Sequence, residues 1–187
     1  EKAGKGTQCK LLDNAIKKAG MDSIILDFPD YSTTIGKEIR LFLDGRRSYS
    51  SEVQHMLLSV NRWEKKEEIE KMLQNGTIII MDRYYQSNIV YGLSNGLDLN
   101  WLINLDKGLP KEDIVIILEI DPATSYKRVN RNRDLFEKNL EFLSNVKQNY
   151  RKLSQVYNWK IVNGEENVEK IHLKTSSLVK EKLNIQF

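Results

Sequence analysis

"EKAGKGTQCKLLDNAIKKAG" occupies residues 1–20, and its reading decides which fold the chain can build. Gly4-Lys5-Gly6-Thr7 runs straight into a stretch, residues 5–19, whose apolar positions recur at helical spacing. The first-turn amides of such a helix lack intrahelical partners. Those N–H groups and the positive end of the helix dipole bind phosphate, and glycines let the backbone close on it. Lys5 adds a point charge able to reach terminal phosphates. A glycine-softened helix start is the other reading of the same residues. Two departures from the full G-x-x-x-x-G-K-[ST] loop matter. The first glycine and the strand that feeds the loop are expected ahead of Glu1, and Gly6 stands where the usual Mg²⁺-binding hydroxyl would be.

The 187 residues suffice for one well-buried core and a single domain over 1–187. Hydrophobic residues make up 40% and charged residues 29%, the profile of a globular chain and not of a disordered one. Net charge is +3 from 29 basic and 26 acidic residues, too balanced for a nucleic-acid binder without an aromatic–basic stripe. One cysteine, Cys9, leaves no intrachain disulfide and fits a reducing compartment. With two histidines besides, a His/Cys metal centre is not expected. The longest apolar runs, near 77–81 and 114–118, are too short to span a bilayer, so no membrane partner is expected and the cytoplasm is the expected location.

β-branched runs at 23–26, 77–81, 114–120 and 159–162 alternate with helical periods at 5–19, 35–44, 51–74, 123–130, 137–157 and 165–183. That alternation predicts an α/β fold, a parallel sheet covered by helices on both faces. In such sheets ligands sit at the carboxyl ends of the strands, so chemistry should follow them.

It does. After the strand at 77–81 comes "MDRYYQSNIVYG", residues 81–92. Asp82 at a strand mouth is placed to hold Mg²⁺ or its waters, and Arg83 presents a planar fork that fits phosphate. A capping ion pair and core tyrosines are the bland alternative. "DFPDYSTTIGKEIR", residues 27–40, places Phe28-Pro29 in a turn and Thr33 or Thr34 as the cap of the next helix. "NRWE", residues 61–64, lies in the helical stretch 51–74, where an isolated arginine is ordinarily solvated or ion-paired.

With these elements the chain resembles the thymidylate (dTMP) kinases, P-loop nucleoside monophosphate kinases. The matching residues are G-K-G-T-Q at 4–8, F-P-D-Y-S-T-T-I-G-K at 28–37, N-R-W-E at 61–64, D-R-Y-x-x-S-N-x-x-Y at 82–91, G-L-P at 108–110 and Asp121-Pro122. The resemblance covers essentially the whole chain in order. It implies a P-loop NTPase-type three-layer fold with a short lid at about 128–136. It also implies ATP as donor, dTMP as acceptor, dTDP and ADP as products, Mg²⁺ as cofactor, and a homodimer packed through helices.

The resemblance implies the following roles. Lys2, Ala3, Gly4, Lys5, Gly6 and Thr7, with Arg128 of the lid, would hold ATP. Glu1 matches an acidic position near the acceptor phosphate, and Asp82 would serve the Mg²⁺ shell. Arg62 and Arg83 would grip the acceptor monophosphate, Phe28 and Pro29 would line its pocket, and Ser87 and Asn88 would face the thymine edge. Tyr91 would stack beneath the deoxyribose and exclude a 2′-hydroxyl. Three departures stand out. Leu58 replaces the phenylalanine that relatives usually stack on thymine, and Tyr31 stands where many carry an arginine. Catalytic cations are offered both in the loop (Lys2) and in "RVNRNRD" (Arg128, Arg131, Arg133).

Phosphoryl transfer to a phosphate dianion needs no general base; its barrier is anion repulsion and the charge spreading over the transferred group. Lys5, Arg83 and either Lys2 or a lid arginine, Arg131 or Arg133, are the candidate catalytic cations. A same-fold kinase for another monophosphate and a non-catalytic nucleotide-binding relative stay open as alternatives. Val53, Met56, Leu57 and Val60 read equally as core or as a dimer face.

Overall fold

The structure, a computed structural model, describes residues 3–121, 123–124 and 140–187. Glu1, Lys2, Pro122 and the lid candidates Arg128, Arg131 and Arg133 lie outside the described residues.

Helix α1 (Lys5–Lys18) starts directly after Gly4, whose φ of 86° no side chain but hydrogen takes readily. Strand β1 (Ser23–Asp27) follows, then α2 (Thr34–Leu43), where the Thr33 hydroxyl accepts the Gly36 N–H at 2.9 Å. Next come α3 (Ser51–Trp63), α4 (Lys66–Gln74), β2 (Ile78–Asp82), α5 (Tyr85–Ser94) and α6 (Leu99–Leu105). Strand β3 (Ile116–Glu119), α7 (Leu140–Tyr157), β4 (Lys160–Asn163) and α8 (Val168–Leu183) complete the order.

The four expected strands form where the β-branched runs stand. The helix expected over 51–74 is two helices, parted at Glu64 and Lys65. Helices α5 and α6 were not anticipated. Gln86, Asn88, Ile89, Val90, Tyr91 and Gly92 of α5 are all buried, so the segment has no polar face to give it a period. With seven residues, α6 is too short to show one. The two meet so closely that a Cβ on Gly92 would lie 2.4 Å from Leu102 Cδ2. Of the helical stretch expected at 123–130 only 123–124 are described, and they are helical.

All strand pairs are parallel. β1 pairs with β2 from Ser23↔Ile78 to Asp27↔Asp82, and β3 with β4 from Ile116↔Lys160 to Glu119↔Asn163. Among the described residues the two pairs are not bonded to each other. Between them lies a cavity of about 450 Å³, lined by consecutive residues of β2 (Ile78–Asp82) and β3 (Ile116–Glu119). A groove over a sheet face would take alternate residues, so the edges of the strands form these walls. Ile89, Val90, Tyr91, Leu102, Val146, Leu153 and Trp159 build the main core of α5, α6 and α7, and Phe28, Ile69, Tyr84 and Leu109 a second one near β1. No described helix is long and apolar enough to cross a membrane.

Candidate active site

The carboxyl ends of β1 and β2 meet the start of α1. Asp82 closes β2 directly opposite Asp27, and a Cβ built on Gly6 would lie 3.5 Å from Asp82 Oδ2. The loop glycine thus abuts the strand-mouth carboxylate. Burial raises the Asp82 pKa; the positive Lys5 opposes that rise and the neighbouring Asp27 adds to it. Burial likewise pushes the Cys9 thiol up to about 12, helped by Asp82 and Asp27. Among the described residues no cluster of three His, Cys, Asp or Glu forms. A divalent cation here would therefore use one or two carboxylates completed by phosphates and water, which is how Mg²⁺ is commonly held. A partly desolvated carboxylate beside a phosphate loop fits that role.

Arg83, next along, sits at φ 71°, the left-handed region, and its guanidinium carbon lies 5.7 Å from the centre of the Tyr91 ring. Tyr91 is buried in the α5 core. The Ser87 hydroxyl lies 3.2 Å from the Tyr150 hydroxyl. Lys5, Asp82, Arg83, Ser87 and Tyr91 all line the 450 Å³ cavity. These candidates for the donor, metal and acceptor roles therefore border the slot between β2 and β3.

The other acceptor candidates are held by protein partners. Asn61, fully buried, accepts the Asp30 N–H at 2.7 Å and gives its amide protons to Asp30 O, Thr33 Oγ1 and Glu64 Oε2 at 3.2, 3.0 and 3.1 Å. That clamp fixes the loop after β1 onto α3. Hydrogen bonds from Ser32 lead in holding the Asp30 carboxyl below its ordinary range, against the effect of burial and with help from Lys65. The loop also crosses α2 so tightly that a Cβ on Gly36 would lie 1.8 Å from Asp30 O. Phe28 is buried with its ring 5.9 Å from Tyr84, beside a cis Phe28-Pro29 bond. Phe28, Pro29 and Tyr31 line a separate cavity of about 360 Å³ with Lys65. Tyr31 carries the Arg40 guanidinium 5.5 Å from its ring centre.

Arg62 is 3% exposed, and its Nε and Nη2 donate to Asp106 Oδ1 and Oδ2 at 3.0 and 2.8 Å. Asn88 is equally buried and turned toward α3: its Oδ1 lies 2.7 Å from His55 Nδ1, and its Nδ2 donates to His55 O at 3.2 Å. Asn95 Nδ2 meets His55 Nε2 at 3.2 Å. With Nδ1 donating to Asn88 and Nε2 accepting from Asn95, the imidazole is neutral, and burial lowers its pKa accordingly. Leu58 is half-buried against Ile39, Phe42 and Leu43. Sequence reasoning missed Asn61, Asp106 and His55 as parts of the site. Asn61 stands inside N-R-W-E and was within reach; for Asp106 and His55 the sequence carries no local signal.

The protein-family model for thymidylate kinase matches residues 1–175. The chain belongs to the thymidylate kinase family. Its relatives include a thymidylate kinase of Dictyostelium discoideum, 34% identical over 95% of this chain and 80% of that protein. A probable thymidylate kinase of Thermococcus onnurineus is 36% identical over 97% of this chain and 94% of its own. The solved thymidylate kinase of Candida albicans superposes with a TM-score of 0.83 at 26% identity, over 100% of this chain and 92% of that one. These likenesses establish the P-loop NTPase-type fold that the resemblance implied, and the parallel strands with helices bear out the α/β class expected from the strand–helix alternation.

Proposed function

We propose that the chain transfers the terminal phosphate of ATP to dTMP, giving dTDP and ADP for dTTP synthesis. The observation that carries this reading is the placement of Gly6 and Lys5 of the phosphate loop against Asp82, with Arg83 next along, where the carboxyl ends of β1 and β2 meet the start of α1. Ala3, Gly4, Gly6, Thr7 and Lys5 hold the ATP phosphates with amides and one ammonium, joined by Lys2 and Arg128. Asp82 holds Mg²⁺, which when bound neutralises charge on the donor phosphates. Arg62 and Arg83 take the acceptor phosphate. Asp106 compensates the charge of Arg62. Tyr91 sits under the deoxyribose and Ser87 faces the base, whereas Asn88, expected to do the same, is turned away onto His55 and supports that wall from behind. Phe28, Pro29, Tyr31 and Leu58 border the acceptor, and Glu1 lies near its phosphate. Arg131 and Arg133 act with Lys5 on the transferred group when the lid closes.

The single domain extends to the slot between β2 and β3. Its parallel walls, with Gln8 Oε1 and Gln86 Nε2 buried beside it and lacking hydrogen-bond partners, support one more parallel strand there, leading into Ala3 and Gly4. Met56 and Val60 are 41% and 43% exposed on α3, which supports a homodimer through that helix; Leu57 instead packs against the Ile39 cluster. A single free cysteine, the half-buried Cys9, supports a reducing compartment such as the cytoplasm.

The test is ADP release against a panel of monophosphates with Mg²⁺. Release that depends on dTMP supports the reading; equal turnover of AMP or CMP rejects it. Leu58 and Tyr31, which replace a stacking ring and a cation, bear on how strictly thymine is chosen, and the same panel measures that.

A further inference from the structure

Three side chains on one face of α3 reach the end of α6. Ser59 Oγ donates to Leu105 O and shares Asp106 Oδ1, each at 2.9 Å, and Trp63 Nε1 donates to Leu105 O at 2.8 Å. Between them Arg62 forms its two-pronged bond to Asp106. Asp106 is the C-cap of α6 and is 6% exposed; Ser59 and Arg62 are 3% exposed. A buried guanidinium–carboxylate pair persists only when its remaining donors and acceptors are satisfied, and the Ser59 hydroxyl supplies that third bond.

A guanidinium is planar, so holding its Nε/Nη2 edge fixes the plane of the whole group and the direction in which Nη1 points. Without that hold, Arg62 would turn about four single bonds. We propose that Asp106 is a positioning residue for acceptor binding: it aims Arg62 at the nucleotide monophosphate without touching the nucleotide itself. The proposal rests on the reading above, in which Arg62 contacts the acceptor. It also assigns a task to the turn before Gly108-Leu109-Pro110, which closes on the same face: a Cβ on Gly108 would lie 3.1 Å from Trp63 Cη2.

The test is a double-mutant cycle read by steady-state kinetics, with melting temperature recorded alongside. Asp106→Asn keeps the shape of the side chain and removes the charge-assisted hold. Its KM for dTMP should rise about tenfold, the worth of a hydrogen bond to a charged group, while the KM for ATP stays put and kcat changes far less. In an Arg62→Met background the same substitution should add nothing to the dTMP KM, because its effect passes through Arg62. If Asp106→Asn does not fold, Ser59→Ala, which removes one bond to the same carboxylate, should raise the dTMP KM about threefold. A purely structural Asp106 would instead shift both substrates together, or act at full size without Arg62; either result overturns the proposal. So does an unchanged dTMP KM in Asp106→Asn, or in Ser59→Ala where that variant serves. If Arg62→Met alone leaves the dTMP KM unchanged, the acceptor role of Arg62 falls with it. An Arg62 effect without an Asp106 effect overturns the positioning role alone.

Discussion

The two halves of this active site are built by opposite means. On the acceptor side, buried polar groups are satisfied by the protein itself: Asn61 clamps the loop after β1, Asp106 holds Arg62, and His55 holds Asn88. On the donor side, Gly4 and Gly6 open the phosphate loop, Asp82 faces Asp27 with Lys5 nearby, and the slot between β2 and β3 opens beside them. The difference teaches how binding is divided. On the proposed reading, the acceptor groove is shaped before any nucleotide arrives, whereas the donor site would be completed by the charges of phosphate and metal. Substitutions on the acceptor side should therefore cost stability, and substitutions on the donor side should cost rate.

The largest effect expected is on rate. Lys5→Ala should lower kcat by on the order of 10²–10³, the loss typical of one preorganised transition-state donor, with the melting temperature little changed. A Lys5 variant that melted much earlier while keeping its rate would break the division. Next comes Asn61→Ala, which strands the Asp30 N–H and leaves Asp30 O with the Thr33 hydroxyl as its donor. Each orphaned buried group costs about 1–3 kcal/mol, so urea denaturation should show a clear loss of stability and the dTMP KM should rise more than kcat falls.

The clamp also marks where the sequence could and could not be read. The four strands and the phosphate loop were legible because β-branched runs and Gly-Lys-Gly report local physics. Helix α5 was not, since a helix buried on nearly every side loses the polar–apolar period. The acceptor candidates could be named from the sequence, but the bonds that hold them could not. Nothing local to Asp106, four-and-forty residues from Arg62, announces a bond that only the α3–α6 contact creates. Nor does the spacing of His55 and Asn88 reveal that both ends of the Asn88 amide are engaged.

A smaller effect follows from His55. Its folded pKa lies below the unfolded value of 6.5, so the neutral ring is favoured by folding. The stability this gives is fully present above pH 6.5 and should be lost as pH falls from there through the lowered folded value. Urea midpoints at pH 7 and pH 5 check the sign, and in a His55→Gln variant this part of the pH dependence should disappear. The smallest expected change sharpens the acceptor side. Leu58→Phe puts a ring where the resemblance implies stacking on thymine, worth about 0.5–1.5 kcal/mol, so the dTMP KM should fall a few-fold with kcat unchanged.

The account stands on one space in which two nucleotide anions meet end to end. A crystal structure with a bisubstrate mimic, adenosine and thymidine joined through a phosphate chain, tests it most directly. The account predicts donor phosphates on the amides of Gly4–Thr7 and the thymidine monophosphate end within hydrogen-bonding distance of Arg62 and Arg83. A thymidine end seated away from both arginines would contradict it.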